Sequence, residues 1–239
     1  MIKHVTIILV LFISLNTKIF SQDLAVYYLF DISKSYKEKA LDEAIEVSEY
    51  IYDIFSDTKF LGSVSPQYHL AGTIDAKSIK STKPCTIIYK NSNTNIFSSN
   101  DNIKKVDMSS CFNKIKKLPY SLNTDIRGGV FNASNSMSDD ISYRALIIFS
   151  DMENDPVKSF QNKLPLDNLE GITVYMLYSH TMADRKGNIT SKHVKEFTKI
   201  FKDAGAKDVK AKALQSIAVR REDGAIEVVK YFRNSFKRK

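Results

Sequence analysis

The chain has 239 residues, of which 43% are hydrophobic and 26% charged, and it carries a formal net charge of +8. That balance excludes a disordered chain and leaves enough apolar residue to bury a sizeable core. The basic clusters at 113–118 and 234–239 read as solvated faces. Neither has an interleaved aromatic stacking pattern or a basic recognition helix, so nucleic acid is not expected as a partner.

Residues 1–22 read as a secretory signal peptide: Lys3 near the front, an apolar stretch from Val5 to Leu15, and a short polar segment ending at Gln22. The apolar stretch is short for a membrane span, so no stable membrane insertion is expected once it is removed. No cysteine lies near the cleavage region to take a lipid. The expected exported chain is 23–239, a single α/β domain whose formal charge falls to +6 with the loss of Lys3 and Lys18. Its location is periplasmic, secreted or cell-surface associated, which the sequence does not resolve further. An even cysteine count in an oxidising compartment points to a disulfide between Cys85 and Cys111, against the alternative of two separate thiols.

The first strand is "LAVYYLF" (24–30), a continuous apolar run suited to a central parallel strand covered on both faces. A helix is expected from about Lys37 to Phe55, with Leu41, Ala44, Ile45, Ile51, Tyr52 and Phe55 on one face. Strands follow at 68–74 and 85–90, then a polar Asn/Ser-rich stretch at 91–108 and a short helix at 109–118. A helix is expected at 125–137 and strands at 144–150 and 171–179, followed by a polar loop at 180–190. An amphipathic helix spans 191–205, opened by Ser191 and closed near Gly205. A last strand covers 209–216 and a closing helix 225–236. Strand and helix alternate, so the expected fold is a Rossmann-like, doubly wound, mostly parallel sheet with helices on both faces.

In such a sheet, functional groups collect at the carboxyl ends of the strands. Three loops open there. One carries Asp31, Ser33 and Ser35, the second Thr124, the third Asp151. Two carboxylates and three hydroxyls are too few charges for a closed calcium cage and suit six-fold Mg²⁺ or Mn²⁺ with waters completing the shell. In an extended turn Ser33 and Ser35 face the same way, with Asp31 behind them.

"FDISKS" at a strand end, "TDIRGGV" at a helix start and "IIFSDMEND" after a later strand resemble the three loops of the von Willebrand factor A domain. The resemblance covers most of 23–216. It implies a Rossmann-like fold with a metal-ion-dependent adhesion site at Asp31, Ser33, Ser35, Thr124 and Asp151. The serines and Thr124 would contact the cation, and the two acids would act largely through water. One departure is visible: the third loop commonly reads Thr-Asp-Gly and here reads Ser150-Asp151-Met152, and the missing glycine is expected to shift that loop's backbone.

Other readings are weaker. "FDISKS" also resembles the aspartyl-nucleophile loop of haloacid-dehalogenase-type phosphatases, but Ser33 stands where that family needs a second Asp. His69, His180 and His193 lack metal-ligand spacing, and no nucleophile elbow or phosphate loop is present. Glu153 and Asp155 form either an accessory cation site or a solvated acidic turn. The expected function is binding, with no enzymatic step: a protein partner supplies a carboxylate to the bound cation. The rival is a metal-free structural scaffold of the same fold. The sequence leaves the oligomeric state open.

Overall fold

The computed structural model describes residues 23–57, 64, 66–75, 85–89, 108–156, 168–180 and 188–237. The expected signal peptide and the polar stretches at 91–107 and 181–187 lie outside these residues. Among the described residues the strands are β1 (Leu24–Asp31), β2 (Gln67–Ile74), β3 (Cys85–Tyr89), β4 (Tyr143–Ser150), β5 (Ile172–Tyr178) and β6 (Asp208–Ala213). The helices are α1 (Lys34–Lys37), α2 (Leu41–Ser56), α3 (Ser109–Lys117), α4 (Ile126–Ser136), α5 (Asn188–Asp203), α6 (Leu214–Ala218) and α7 (Arg221–Lys237).

The six strands form one sheet in the order β3-β2-β1-β4-β5-β6, with only β3 antiparallel. β1 is central, and all eight of its residues are buried, as its unbroken apolar run requires. Alternation along the strand divides its side chains between two cores. Leu24, Val26, Tyr28 and Phe30 join one cluster with α2, α3, α6 and α7. Ala25, Tyr27 and Leu29 join the other with α4 and α5. The first core is rich in aromatic pairs. Phe30 stacks on Phe149 of β4 with centroids 4.9 Å apart, and Phe112 of α3 meets Tyr28 and Phe30 edge-on.

Four element boundaries differ from those expected. The helix expected from Lys37 to Phe55 is two, α1 and α2, separated by a turn at 38–40. The break lets Tyr36 turn into the core, fully buried, while α2 starts afresh from Ala40 with its own buried face. α5 begins at Asn188, a turn before Ser191, because Thr190 is buried. The strand expected at 209–216 stops at Ala213, and its tail is α6. Leu214 and Ile217 are three apart, a helical spacing, and both are fully buried. The closing helix starts at Arg221, four residues before the expected 225.

Two fixtures hold the layers. The expected disulfide is present: Cys85 on edge strand β3 is bonded to Cys111 on α3, with α-carbons 5.8 Å apart. α4 lies close on the sheet at Gly129, where a Cβ would come within 3.0 Å of Ile74 and 3.6 Å of Leu29. Glycine there sets the height of α4 above the strands, and with it the height of Thr124 just before the helix.

The two ends of the described chain meet at one end of the sheet. Leu24 pairs with Tyr143 at the start of β4, and Phe236 near the end of α7 stacks on Tyr143 with centroids 4.7 Å apart. The opposite end, where β1 and β4 terminate, carries the three loops.

Candidate metal centre

β1 ends in Asp31, which is fully buried. Its Oδ1 accepts the backbone N–H of Ser33 at 2.8 Å, an Asx turn that bends the chain out of the sheet. Its Oδ2 accepts the hydroxyl of Ser150 at 2.7 Å. Both Asp31 oxygens are thus held by protein groups. The bend brings Ser33 and Ser35 side by side, with their Oγ atoms 3.3 Å apart, though not through the expected extended turn: Ser33 is the extended N-cap residue and Ser35 already lies in the helical turn α1. Ser35 in turn donates to Asp151 Oδ2 at 3.0 Å. Asp151 Oδ1 accepts from the Glu153 N–H at 3.1 Å. Asp31, Ser33, Ser35 and Asp151 therefore form one hydrogen-bonded group across the ends of β1 and β4.

Thr124 joins through the backbone. It sits in an antiparallel bridge with Asp155, each exchanging N–H···O bonds at 2.8 and 3.2 Å. Its side chain is buried. Asn154 accepts from the N–H of Ile126 at 2.9 Å, and Asp155 accepts from Asn123 at 3.0 Å. The acidic turn that sequence reading left open is therefore in part a brace between the second and third loops. Asp125 caps α4 through its Oδ1, which accepts from Gly128 N–H at 2.9 Å. The first and second loops are joined likewise: Ser121 N–H donates to Ile32 O at 2.8 Å, and Lys34 N–H to Ser121 O at 3.0 Å. Each loop is thus tied to the other two.

The departure at Met152 resolves in the backbone. Met152 has φ +62°, the left-handed region where the family pattern has glycine. The turn survives with a methionine in it, and the side chain is fully buried in the core under α4 and α5. That burial offsets a left-handed penalty of about 1–2 kcal/mol. Met152 N–H donates to Ser150 Oγ at 2.9 Å, so Ser150 both steadies the turn and holds Asp31. Sequence reading missed Ser150. Its signal was there, as a hydroxyl closing an apolar strand beside an acid.

The electrostatics are those of two neighbouring buried carboxyls. Burial pushes the Asp31 carboxyl up to about 7, the charge of Asp151 adds to this, and the bonds from Ser150 and Ser33 oppose it. Burial also raises Asp151, against the bonds from Glu153 and Ser35 and the charges of Lys39 and His193. Neither carboxylate forms a salt bridge among the described residues. Those residues also hold no group of three or more His, Cys, Asp or Glu fit for a metal, so a cation here must rest on hydroxyls as well as acids. The donor set fits a hard divalent cation: all its atoms are oxygens, two belong to acids, and the hydroxyls adjoin them. His69 lies elsewhere, in the core of β2.

The fold is a Rossmann-like α/β sheet of the von Willebrand factor A-like kind. The sequence matches no family model and no curated protein. In structure, the chain is similar to the pilus adhesin SpaC from Lactobacillus rhamnosus GG in its open conformation, with a TM-score of 0.52 and 10% identity over 88% of this chain. The chain spans 30% of the length of SpaC. It also aligns with proximal thread matrix protein 1 from the mussel byssus, solved with a zinc-occupied MIDAS motif, at a TM-score of 0.44 and 13% identity over 87% of this chain and 46% of that one. Manganese-loaded TRAP protein from Plasmodium vivax aligns at 0.43 and 12% identity, over 86% and 74%. Identity this low speaks to the fold, carried by SpaC, and leaves the site to the residues themselves.

Proposed function

We propose that this chain is an exported protein-binding module of the von Willebrand factor A type, holding Mg²⁺ or Mn²⁺ at Asp31, Ser33, Ser35, Thr124 and Asp151 to engage an acidic group on a partner protein. The observation that carries this is the Asp31–Asp151 pair, two buried carboxylates at the strand ends, linked through Ser33 and Ser35 and in no salt bridge among the described residues. A divalent ion there would neutralise both acids and offer an open position to a carboxylate oxygen. Ser33, Ser35 and Thr124 would supply hydroxyl oxygens. Asp31, fixed by Ser33 N–H and Ser150, would hold the serine turn in shape and accept from water. Export fits the disulfide, and among the described residues no helix is long and apolar enough to cross a membrane. We assign no catalytic step to this site.

One observation favours the rival, a metal-free scaffold. The same hydroxyls already bond to the acids, so the network closes on itself. Calorimetry separates the two. Mg²⁺ or Mn²⁺ titrated into chelator-stripped protein should bind saturably at one site, and Ser33→Ala with Ser35→Ala should remove that heat. No heat with the wild type would favour the scaffold.

A further inference from the structure

Six large apolar residues are exposed among the described residues, and three of them, Leu118, Tyr120 and Leu122, fall within one five-residue stretch. Tyr120 is 50% exposed and Leu122 81%. Scattered singly, such residues need no explanation, but gathered on one short segment they mark a contact surface. This segment is bonded to the metal-binding turn. Ser121, between Tyr120 and Leu122, forms a parallel bridge with Ser33 and is bonded to Ile32 and Lys34 on either side of it. Adjacent backbones in such a pairing lie about 4.8 Å apart. Tyr120 and Leu122 therefore stand beside the candidate centre, and Thr124 follows two residues later. The segment is also held in place. Lys37 donates its ammonium to Leu118 O, and the Lys34 ammonium lies 5.6 Å from the centre of the Tyr120 ring. Those lysines put cationic groups beside its apolar surface, and Lys39, in the turn after α1, acts on Asp151.

We infer that Tyr120 and Leu122 form a docking shelf for the partner segment that delivers the carboxylate, and that this segment carries a large apolar side chain within about three residues of its Asp or Glu. The inference rests on the metal-bridged reading above. It adds which neighbours of the acid are selected. The lysines beside the shelf match an acidic segment, and its exposed leucine and tyrosine match an apolar anchor, since aromatic and apolar contacts beside a polar anchor commonly carry the affinity of an interface. The occupant is an extended segment of another protein, because the shelf lies along a chain section that itself runs beside the turn. A second copy of this chain is one outcome of the test.

The probe is a library of random linear peptides displayed on phage, selected on the full chain expressed for export, in Mg²⁺, and eluted with EDTA. The expected pool is rich in Asp or Glu with Leu, Ile, Met or Phe within about three residues. Against Tyr120→Ser with Leu122→Ser, the acid preference should persist and the apolar preference vanish. Peptides selected on the wild type should bind this double variant at least about tenfold more weakly. Both side chains are at least half exposed, so an unchanged melting temperature should show that the variant is folded. An EDTA-eluted pool rich in acids but indifferent to apolar neighbours overturns the shelf alone, as does an unchanged preference in the variant. No EDTA-eluted binders at all overturns the metal-bridged reading and the shelf with it. Mg²⁺-dependent self-association that these two substitutions abolish replaces the foreign segment with a second copy.

Discussion

Asp31 and His69 stand on neighbouring strands, and both are fully buried, yet burial acts on them in opposite ways. His69 Nε2 lies 3.1 Å from Gln67 Oε1, and its Nδ1 lies 3.4 Å from the Tyr28 hydroxyl. A neutral ring protonated on Nε2 donates to the amide and accepts from the hydroxyl. Tyr52 and Phe55 meet the ring edge-on, and burial pulls its pKa down to about 3. The ring sheds its charge and has a partner at each nitrogen. Asp31 has a second carboxyl for a neighbour, and burial pushes both up. A buried group satisfied by neutral partners is structure. A buried pair of like charges at a loop edge is the kind of place that function occupies.

The largest effect expected from this difference is metal-dependent stability. At about a hundredfold excess over its dissociation constant, Mg²⁺ or Mn²⁺ should stabilise the fold by about 2.7 kcal/mol. For a chain of this size that raises Tm by about 5–10 °C. EDTA should reverse the rise, Asp31→Ala should lose it, and His69→Gln should keep it. Equal shifts in wild type and Asp31→Ala would place the ion elsewhere.

Acid should act through His69 next. Its folded pKa lies below the unfolded 6.5, so its contribution to stability is complete above about pH 6.5 and is lost as pH falls toward 3. By pH 5 the loss is about 2 kcal/mol. Urea unfolding at pH 7 and pH 5 should show the wild type losing about 2 kcal/mol more than His69→Gln over that interval, the contribution of Asp31 being common to both. The Asp31 pair works in the opposite direction in metal-free protein. A carboxyl raised in the fold favours folding as pH falls from about 7 toward 3.8 and opposes it above. Asp31→Asn should therefore steepen the acid-side decline. A shallower decline in that variant would mean that the pair is not strained by its charge.

Smaller effects test the supports. Ser150→Ala removes the donor to Asp31 and the acceptor for Met152, at a cost of about 1–2 kcal/mol in urea unfolding, with weaker metal binding. Met152→Gly relieves the left-handed backbone but loses a buried side chain, for a net loss on the order of 1 kcal/mol. A gain in stability instead would show that the turn is strained beyond what the burial of Met152 offsets.

The central strand and both its cores were legible in the sequence, because a short unbroken apolar run rich in aromatics, such as Leu24–Phe30, suits a strand covered on both faces. The juxtaposition of Asp31, Ser33, Ser35 and Asp151 was legible too, since strand ends and turn residues place them. What was not legible is carried by backbone groups. The Ser33–Ser121 and Thr124–Asp155 bridges join loops far apart in sequence, through N–H and C=O groups that every residue owns. The left-handed turn at Met152 has no signature either, since the residue there is not the one such turns prefer. The break between α1 and α2 was missed because the apolar spacing runs on through it, with Tyr36, Ala40 and Leu41 all buried.

The stacking of Phe236 on Tyr143, beside the pairing of Leu24 with Tyr143, has a practical consequence for handling the molecule. Both ends of the described chain leave from the pole opposite the three loops. A bead, a sensor surface or a fused carrier attached at either end will therefore present those loops outward, with the length of the strands as a spacer. Orientation by attachment is in this way built into the fold, and a reversed capture through the lysines of α1 should mask the loops and serve as the control.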